Sequence, residues 1–257
     1  MTYYFPDLII IVLLLLILAL IFVVLHKVRR IHIAAFDTQT EIKKLAGEPM
    51  LNLYRQIQMY DALEQELDLP TPLPPLRGWA ASPDFLYIVW RAIRRAAPQI
   101  VVECSSGAST VVIARALQAQ GVGHLYSLEN DPSYGAQTRQ RLEDNGLQDW
   151  ATVINAPLME CSLSGEDWPW YDITGLSLDT IDFLVIDGPP MPMHKCIRYP
   201  AGPLLFPKLS PGASVYLDDA SRDDETEIVA RWMSEFPDLV REAHEAEKGC
   251  VSLHKPD

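Results

Sequence analysis

Residues 8–25 form an unbroken run of eighteen positions without a polar side chain. At about 1.5 Å of rise per residue, a helix of that length nearly crosses a hydrocarbon core of about 30 Å, so the run predicts a membrane span. Beyond it the pattern becomes periodic. From Met50, apolar positions recur at Leu53, Ile57, Tyr60, Leu63 and Leu67, the spacing of one helix face, with Pro49 suited to the first turn. Residues 69–75, LPTPLPP, read as a stiff extended linker. Ser82 is placed to cap a helix with Pro83 at its first position, running to about Ala97. Short apolar runs then alternate with longer amphipathic segments. The pattern predicts strands over 100–104, 124–128, 152–156, 181–186 and 213–217, and helices over 109–120, 132–145 and 223–235. The tail breaks the alternation: 239–247 and 250–254 flank Lys248-Gly249 as an antiparallel hairpin. Such a chain builds an α/β fold, a Rossmann-like, mostly parallel seven-stranded sheet with helices on both faces. Three regions are expected: an anchor with its basic flank over 1–30, a helical stalk and proline linker over 31–75, and an α/β domain over 76–257.

A cleaved signal peptide would begin with positive charge and end in a small-residue cleavage site. The segment before the apolar run has no basic residue, and no A-x-A follows it. Lys27, Arg29 and Arg30 sit just after the run instead. By the positive-inside bias the run is an uncleaved single-pass anchor, N-terminus outside and all that follows Arg30 in the cytoplasm. The helix after Met50 either packs on the domain or pairs with a second copy as a dimerising stalk. Its seam is short for a stable coiled coil.

Composition narrows the partners. The 257 residues include 21 basic and 34 acidic ones, a formal charge of −13. Phosphate backbones are bound by clustered Lys and Arg, so nucleic acid is excluded as a partner. Cys104, Cys161, Cys196 and Cys250 form neither a CxxC nor a zinc spacing, which fits a reduced compartment.

The chemistry concentrates at strand ends, where open α/β sheets bind ligands. The run 101–110, VVECSSGAST, ends a strand in Glu103, makes a small-residue turn and opens a helix. The next strand ends in Glu129. A tight turn lets a ligand approach a helix N-terminus, and the second acid suits ribose hydroxyls, so a nucleoside-containing ligand is expected. The later strands end at Ala156-Pro157-Leu158, Asp187 and Asp218-Asp219, so four of the five strand ends are acidic.

VVECSSGAST resembles the first motif of class I S-adenosylmethionine-dependent methyltransferases, most closely a broad bacterial group with E-x-G-x-G-x-S-T there. LYSLEND resembles the second motif, FLVIDGPP the segment ending the fourth strand, and RYPAGP from Arg198 a further string of that group. The resemblance covers about residues 74–254. It implies S-adenosylmethionine as cofactor, held by Glu103, Ser105, Ser106, Gly107, Ser109, Glu129, Ala156 and Asp187. The turn 105–109 would cradle the methionine part, Glu129 would accept both ribose hydroxyls, and 156–158 would line the adenine pocket. Asp187 would be the base that removes a hydroxyl proton, with His194 as a second catalytic candidate. In a metal-dependent O-methyltransferase branch, Asp187, Asp218 and Asp219 would hold Mg²⁺ or another divalent cation; that branch has Asp-Asn at the second site, where this chain has Asp-Asp. Arg198 is placed either to bind an anionic substrate group or to pair with a strand-end acid. Trp168, Trp170 and Tyr171 are either core or a stacking lid.

The expected activity is methylation of an oxygen on a small-molecule, glycan or lipid-linked acceptor at a bacterial inner membrane. Two alternatives stand beside it. Ser105 replaces the first glycine of the motif, as it would in an inactive membrane-tethered scaffold. A nicotinamide-dependent oxidoreductase would need G-x-G-x-x-G, and this turn has only Gly107.

Overall fold

The structure, a computed structural model, describes residues 4–76, 78–190 and 194–257. The chain divides into two compact units, Met1–Tyr54 and Arg55–Asp257. The start of the expected anchor region, residues 1–3, lies outside the described residues.

Helix α1, Tyr4–Ala46, fills most of the first unit. From residue 8 to 25 its Leu, Ile, Val and Phe side chains are all about half exposed or more. Among the described residues, one helical span is long and apolar enough to cross a membrane, by length and composition. Gly47 separates α1 from α2, Glu48–Leu67.

The second unit is built on a seven-stranded sheet. Helix α3, Pro83–Ala96, leads into β1, Ile100–Cys104; α4, Ala108–Gln120; β2, His124–Glu129; α5, Pro132–Asp144; and β3, Ala151–Asn155. After a hairpin of β4, Leu158–Leu163, and β5, Glu166–Tyr171, come β6, Ile181–Ile186; α6, Ala201–Leu205; β7, Leu209–Asp218; α7, Asp223–Glu235; β8, Val240–His244; and β9, Cys250–His254. The strand order is β3-β2-β1-β6-β7-β9-β8. Five strands run parallel, with β9 and β8 antiparallel at one edge. The chain leaves β1 toward β2 and β3, then returns to β1's other side with β6. That reversal opens a crevice at the carboxyl ends of β1 and its neighbours.

The central strands β1 and β6 are mostly apolar because both faces are covered. Val101, Phe183 and Val185 face a cluster with Phe85, Val112, Ile113 and Leu117 of α3 and α4. Val102, Cys104, Leu184 and Ile186 face a second cluster with Trp170, Ile228 and Trp232.

The second compact unit begins at Arg55, and Leu63 and Leu67 of α2 are buried in its core. This is the packing role for the end of α2, while Met50, Leu53 and Ile57 stay exposed. The proline segment is no free linker: Leu73 and Leu76 are buried, and the Thr71 amide donates to Asn145 Oδ1. Ser82 precedes α3 without capping it; its hydroxyl donates to Asp84 Oδ1 at 2.6 Å, and the Phe85 amide donates to that same oxygen. Asp84 Oδ2 accepts from Gln56 Nε2 and from the Glu247 amide, joining α2, α3 and the C-terminal hairpin. Finally, β4 and β5 form a separate two-stranded sheet that alternation did not reveal.

Candidate functional site

Sheet register builds the site. Glu103 of β1 lies opposite Ser127 of β2, and Cys104 opposite Leu128, so Glu129 flanks the turn after β1. Glu103 is fully buried. Its Oε2 accepts from Thr110 Oγ1 at 2.7 Å and Ser127 Oγ at 2.8 Å, while its buried Oε1 has no hydrogen-bond partner among the described residues. Burial pushes its pKa up to about 7, against the hydroxyls of Ser109, Thr110 and Ser127, which favour the charged form.

Ser105 takes a φ of +105°, a left-handed conformation that glycine adopts without strain. Its backbone is pinned on both sides: the amide donates to Leu128 O at 3.0 Å, and the carbonyl accepts from Ser127 Oγ at 2.6 Å. The Gly107 amide donates to Thr110 Oγ1 as α4 begins. Buried Ser109 and Thr110 lie in the first turn of that helix, whose free amides suit a negative or electron-rich group. Ser106 Oγ donates to Glu129 Oε2 at 2.5 Å, and the Asp131 amide donates to Oε1 at 2.8 Å. Each carboxylate oxygen keeps a further lone pair. Ala156, fully buried, donates its amide to Glu129 O at 2.7 Å, which sets an apolar wall next to that acid.

Gly188 closes the floor. A Cβ there would lie 2.3 Å from Tyr171 Oη and 2.9 Å from Ser105 Cβ, so only glycine fits. The buried Tyr171 hydroxyl has no hydrogen-bond partner among the described residues, and burial raises its pKa well above the usual value. Glu103 Oε1 and Tyr171 Oη are thus buried polar atoms beside the same turn, each lacking a partner.

The second half of the site is an acid cluster. Because Ile186 pairs with Leu217, the next residues, Asp187 and Asp218, stand side by side. Asp187, Asp218 and Asp219 each bring a carboxylate oxygen within 4.8 Å of the others. The Asp187 side chain is 11 % exposed, the Asp219 side chain 3 %, and Asp218 is fully buried. Burial raises the Asp187 pKa to about 6; Arg198 opposes that shift and Asp219 adds to it. Asp218 is pushed well above the usual carboxylate range by burial and by Asp187 and Asp219. Arg198, 2 % exposed, threads the cluster. Its Nη2 lies 2.9 Å from Asp219 Oδ2 and 3.4 Å from Asp187 Oδ1.

Most of the expected residues come together, and His194 does not. His194 stacks edge-on against Trp168, with ring centroids 4.9 Å apart, in a cleft also lined by Glu166, Lys195, Tyr199 and Arg231. None of the strand-end acids lines that cleft. Trp170 and Tyr171 are core residues, and Trp168, although buried, borders the His194 cleft. Sequence reading did not find Ser127 or the contact of Thr110 with Glu103, and it offered Tyr171 only as core or a stacking lid. The first two touch Glu103 only through strand pairing and the α4 turn. Tyr171 arrives on the β4–β5 hairpin.

Residues 102–220 match the family model of a methyltransferase domain. The fold resembles solved methyltransferases. An O-methyltransferase from Bacillus cereus in complex with SAH is 17 % identical, with 80 % of this chain and 97 % of that one covered at a TM-score of 0.55. The O-methyltransferase TomG from Streptomyces achromogenes, involved in tomaymycin synthesis and in complex with SAM, is 16 % identical, with 80 % and 96 % covered at 0.52. SAH-bound PaMTH1 from Podospora anserina is 13 % identical, with 79 % and 88 % covered at 0.55. No curated protein matches the chain in sequence. Residues 102–220 are thus similar in sequence to a methyltransferase domain, and the chain shares the Rossmann-like fold of these solved methyltransferases.

Proposed function

We propose that the chain is an S-adenosylmethionine-dependent O-methyltransferase held at a membrane by residues 8–25. The observation that carries the reading is the pair of polar atoms without partners, Glu103 Oε1 and Tyr171 Oη, beside the Ser105–Gly107 turn and Glu129. Buried polar groups are ordinarily paired, so these two await a polar ligand. An amino acid joined to a nucleoside meets the geometry. Its ammonium suits Glu103, and its ribose diol suits the free lone pairs of Glu129. Its adenine suits the apolar wall at Ala156.

Bound there, S-adenosylmethionine supplies a methyl group on a sulfonium for in-line transfer to an acceptor oxygen. Asp187 is the most exposed member of the acid cluster, and a carboxyl with a pKa near 6 is ionised at neutral pH yet basic enough to take a hydroxyl proton.

Residues 8–25 support the membrane assignment. A helix apolar all round and unburied is at home in lipid. By the positive-inside bias, Lys27, Arg29 and Arg30 support a cytoplasmic domain, within reach of glycan or lipid-linked acceptors at the bilayer surface. The test is transfer of labelled methyl from S-adenosylmethionine to a membrane extract. We expect labelling by the full chain and a loss of ~100-fold or more in Asp187→Asn. Cofactor binding with no transfer to any extract would favour the inactive scaffold.

A further inference from the structure

We propose that α1 carries a seam on which a second copy of this chain pairs, making the protein a parallel coiled-coil dimer at the membrane. The proposal rests on the membrane placement of residues 8–25; it does not use the methyl-transfer reading.

α1 runs without a break from Tyr4 to Ala46, well past the end of the apolar run. The stretch from His26 to Ala46 holds neither proline nor glycine, the usual sources of a sharp kink. The helix therefore leaves the bilayer along the line of the span and does not fold down onto the lipid surface. Its apolar side chains beyond the span are nevertheless uncovered: Val28, Ile31, Phe36, Ile42 and Leu45 are all more than half exposed. Helices in proteins owe most of their stability in water to packing an apolar face, so this one calls for a partner.

The spacing says which face. Val28, Ile31, Ala35, Thr38, Ile42 and Leu45 alternate steps of three and four, and the same phase runs back into the span through Val24 and Ile21. Every Lys, Arg, Asp and Glu between Lys27 and Lys44 lies off that seam, as does the Glu41–Lys44 pair at 2.9 Å. Its one polar member, Thr38, satisfies its hydroxyl within its own helix: Oγ1 donates to Ala34 O at 2.8 Å. Thr38 thus brings no unmet hydrogen bond to an apolar seam.

An uncharged seam of this kind is complementary to itself, each residue meeting its own counterpart across a twofold axis. The basic flank Lys27, Arg29 and Arg30 gives every copy the same orientation, so anchored copies emerge side by side and parallel. Confinement to one membrane raises their effective concentration, which offsets the shortness of the seam outside the bilayer. The pairing face thus lies on α1 rather than on α2, whose Leu63 and Leu67 are buried in the α/β core.

The experiment is cysteine cross-linking of the full chain in membrane vesicles, in a Cys161→Ser background, because Cys161 is the native cysteine that is not buried. Ile31→Cys, Ile42→Cys and Leu45→Cys are expected to form disulfides between chains at least ~10-fold more fully than Ile33→Cys and Thr40→Cys, which stand on the opposite helix face. Light scattering in mild detergent is expected to give twice the 28.9 kDa chain mass. Ile31→Asp combined with Ile42→Asp is expected to reduce that to a single chain while leaving thermal unfolding of the α/β unit unchanged. A flat cross-linking profile, one that peaks at Ile33→Cys and Thr40→Cys, or cross-links to a different protein in place of a second copy overturns the proposal. A chain that pellets with the vesicles yet has a single-chain mass overturns the proposal alone. Failure to pellet overturns the membrane placement, and the proposal falls with it.

Discussion

Ser105 occupies a backbone conformation that costs a serine on the order of 1–3 kcal/mol, and its amide and carbonyl are both pinned by β2. The turn has therefore kept the shape that glycine would give it. Ser105→Gly should release strain and lose part of that gain to a freer unfolded chain, for a net of about 1 kcal/mol, or roughly 2–4 °C in Tm. Thermal unfolding checks this, and lower stability with weaker cofactor binding would show that the hydroxyl itself is needed. Glu103 yields a second prediction, with a definite sign. Its folded pKa of about 7 lies above its unfolded value, so the folded state binds the proton more tightly. Stability is then greatest at low pH and falls as pH rises from about 5 to 8, by roughly 2 kcal/mol from this group, with Asp187 adding in the same direction below about pH 7. Melting of the free protein across that range checks it; cofactor should flatten the slope and Glu103→Gln should reduce it. A free protein that gains stability over that range would contradict it. The strand-end acids were legible because an apolar run ending in an acid needs no partner to be noticed. Their buried partners were not, since Ser127 meets Glu103 only across the β1–β2 pairing.

At the scale of elements, α2 divides in two. Leu63 is fully buried, whereas Leu53 is 42 % exposed on the same apolar seam. Leu63→Ala should therefore cost about 2–5 kcal/mol of stability, and Leu53→Ala no more than about 0.5 kcal/mol. Equal effects, read from chemical unfolding, would mean that α2 does not enter the core as described. Periodicity located this helix but could not say what its seam faces, because a domain surface and a second copy require the same spacing. The strands with both faces buried, β1 and β6, were legible to the residue, since nothing else explains so short and continuous an apolar run. β7 begins four residues before its expected start. Pro211 and Gly212 interrupt its pattern there, and its register against β6 shifts between Ile181 and Phe183. The β4–β5 hairpin was hidden because its pattern is polar and aromatic rather than alternating, with Pro169 inside a strand.

For the whole molecule, the apolar run and the acidic composition were plain in the sequence, and the strand order was not. Only the sheet brings residues from both sides of β1 to one crevice and threads Arg198 between the ends of β6 and β7. The membrane assignment makes its own prediction: the full chain should pellet with membranes and resist alkaline extraction. A freely soluble chain would contradict it. The central claim is that the crevice at β1 and β2 holds S-adenosylmethionine, and calorimetry tests it most directly. The full chain should bind the cofactor with micromolar affinity, and Glu129→Ala should lose that binding while remaining folded. No heat from a folded wild type, or equal binding by Glu129→Ala, would contradict the account.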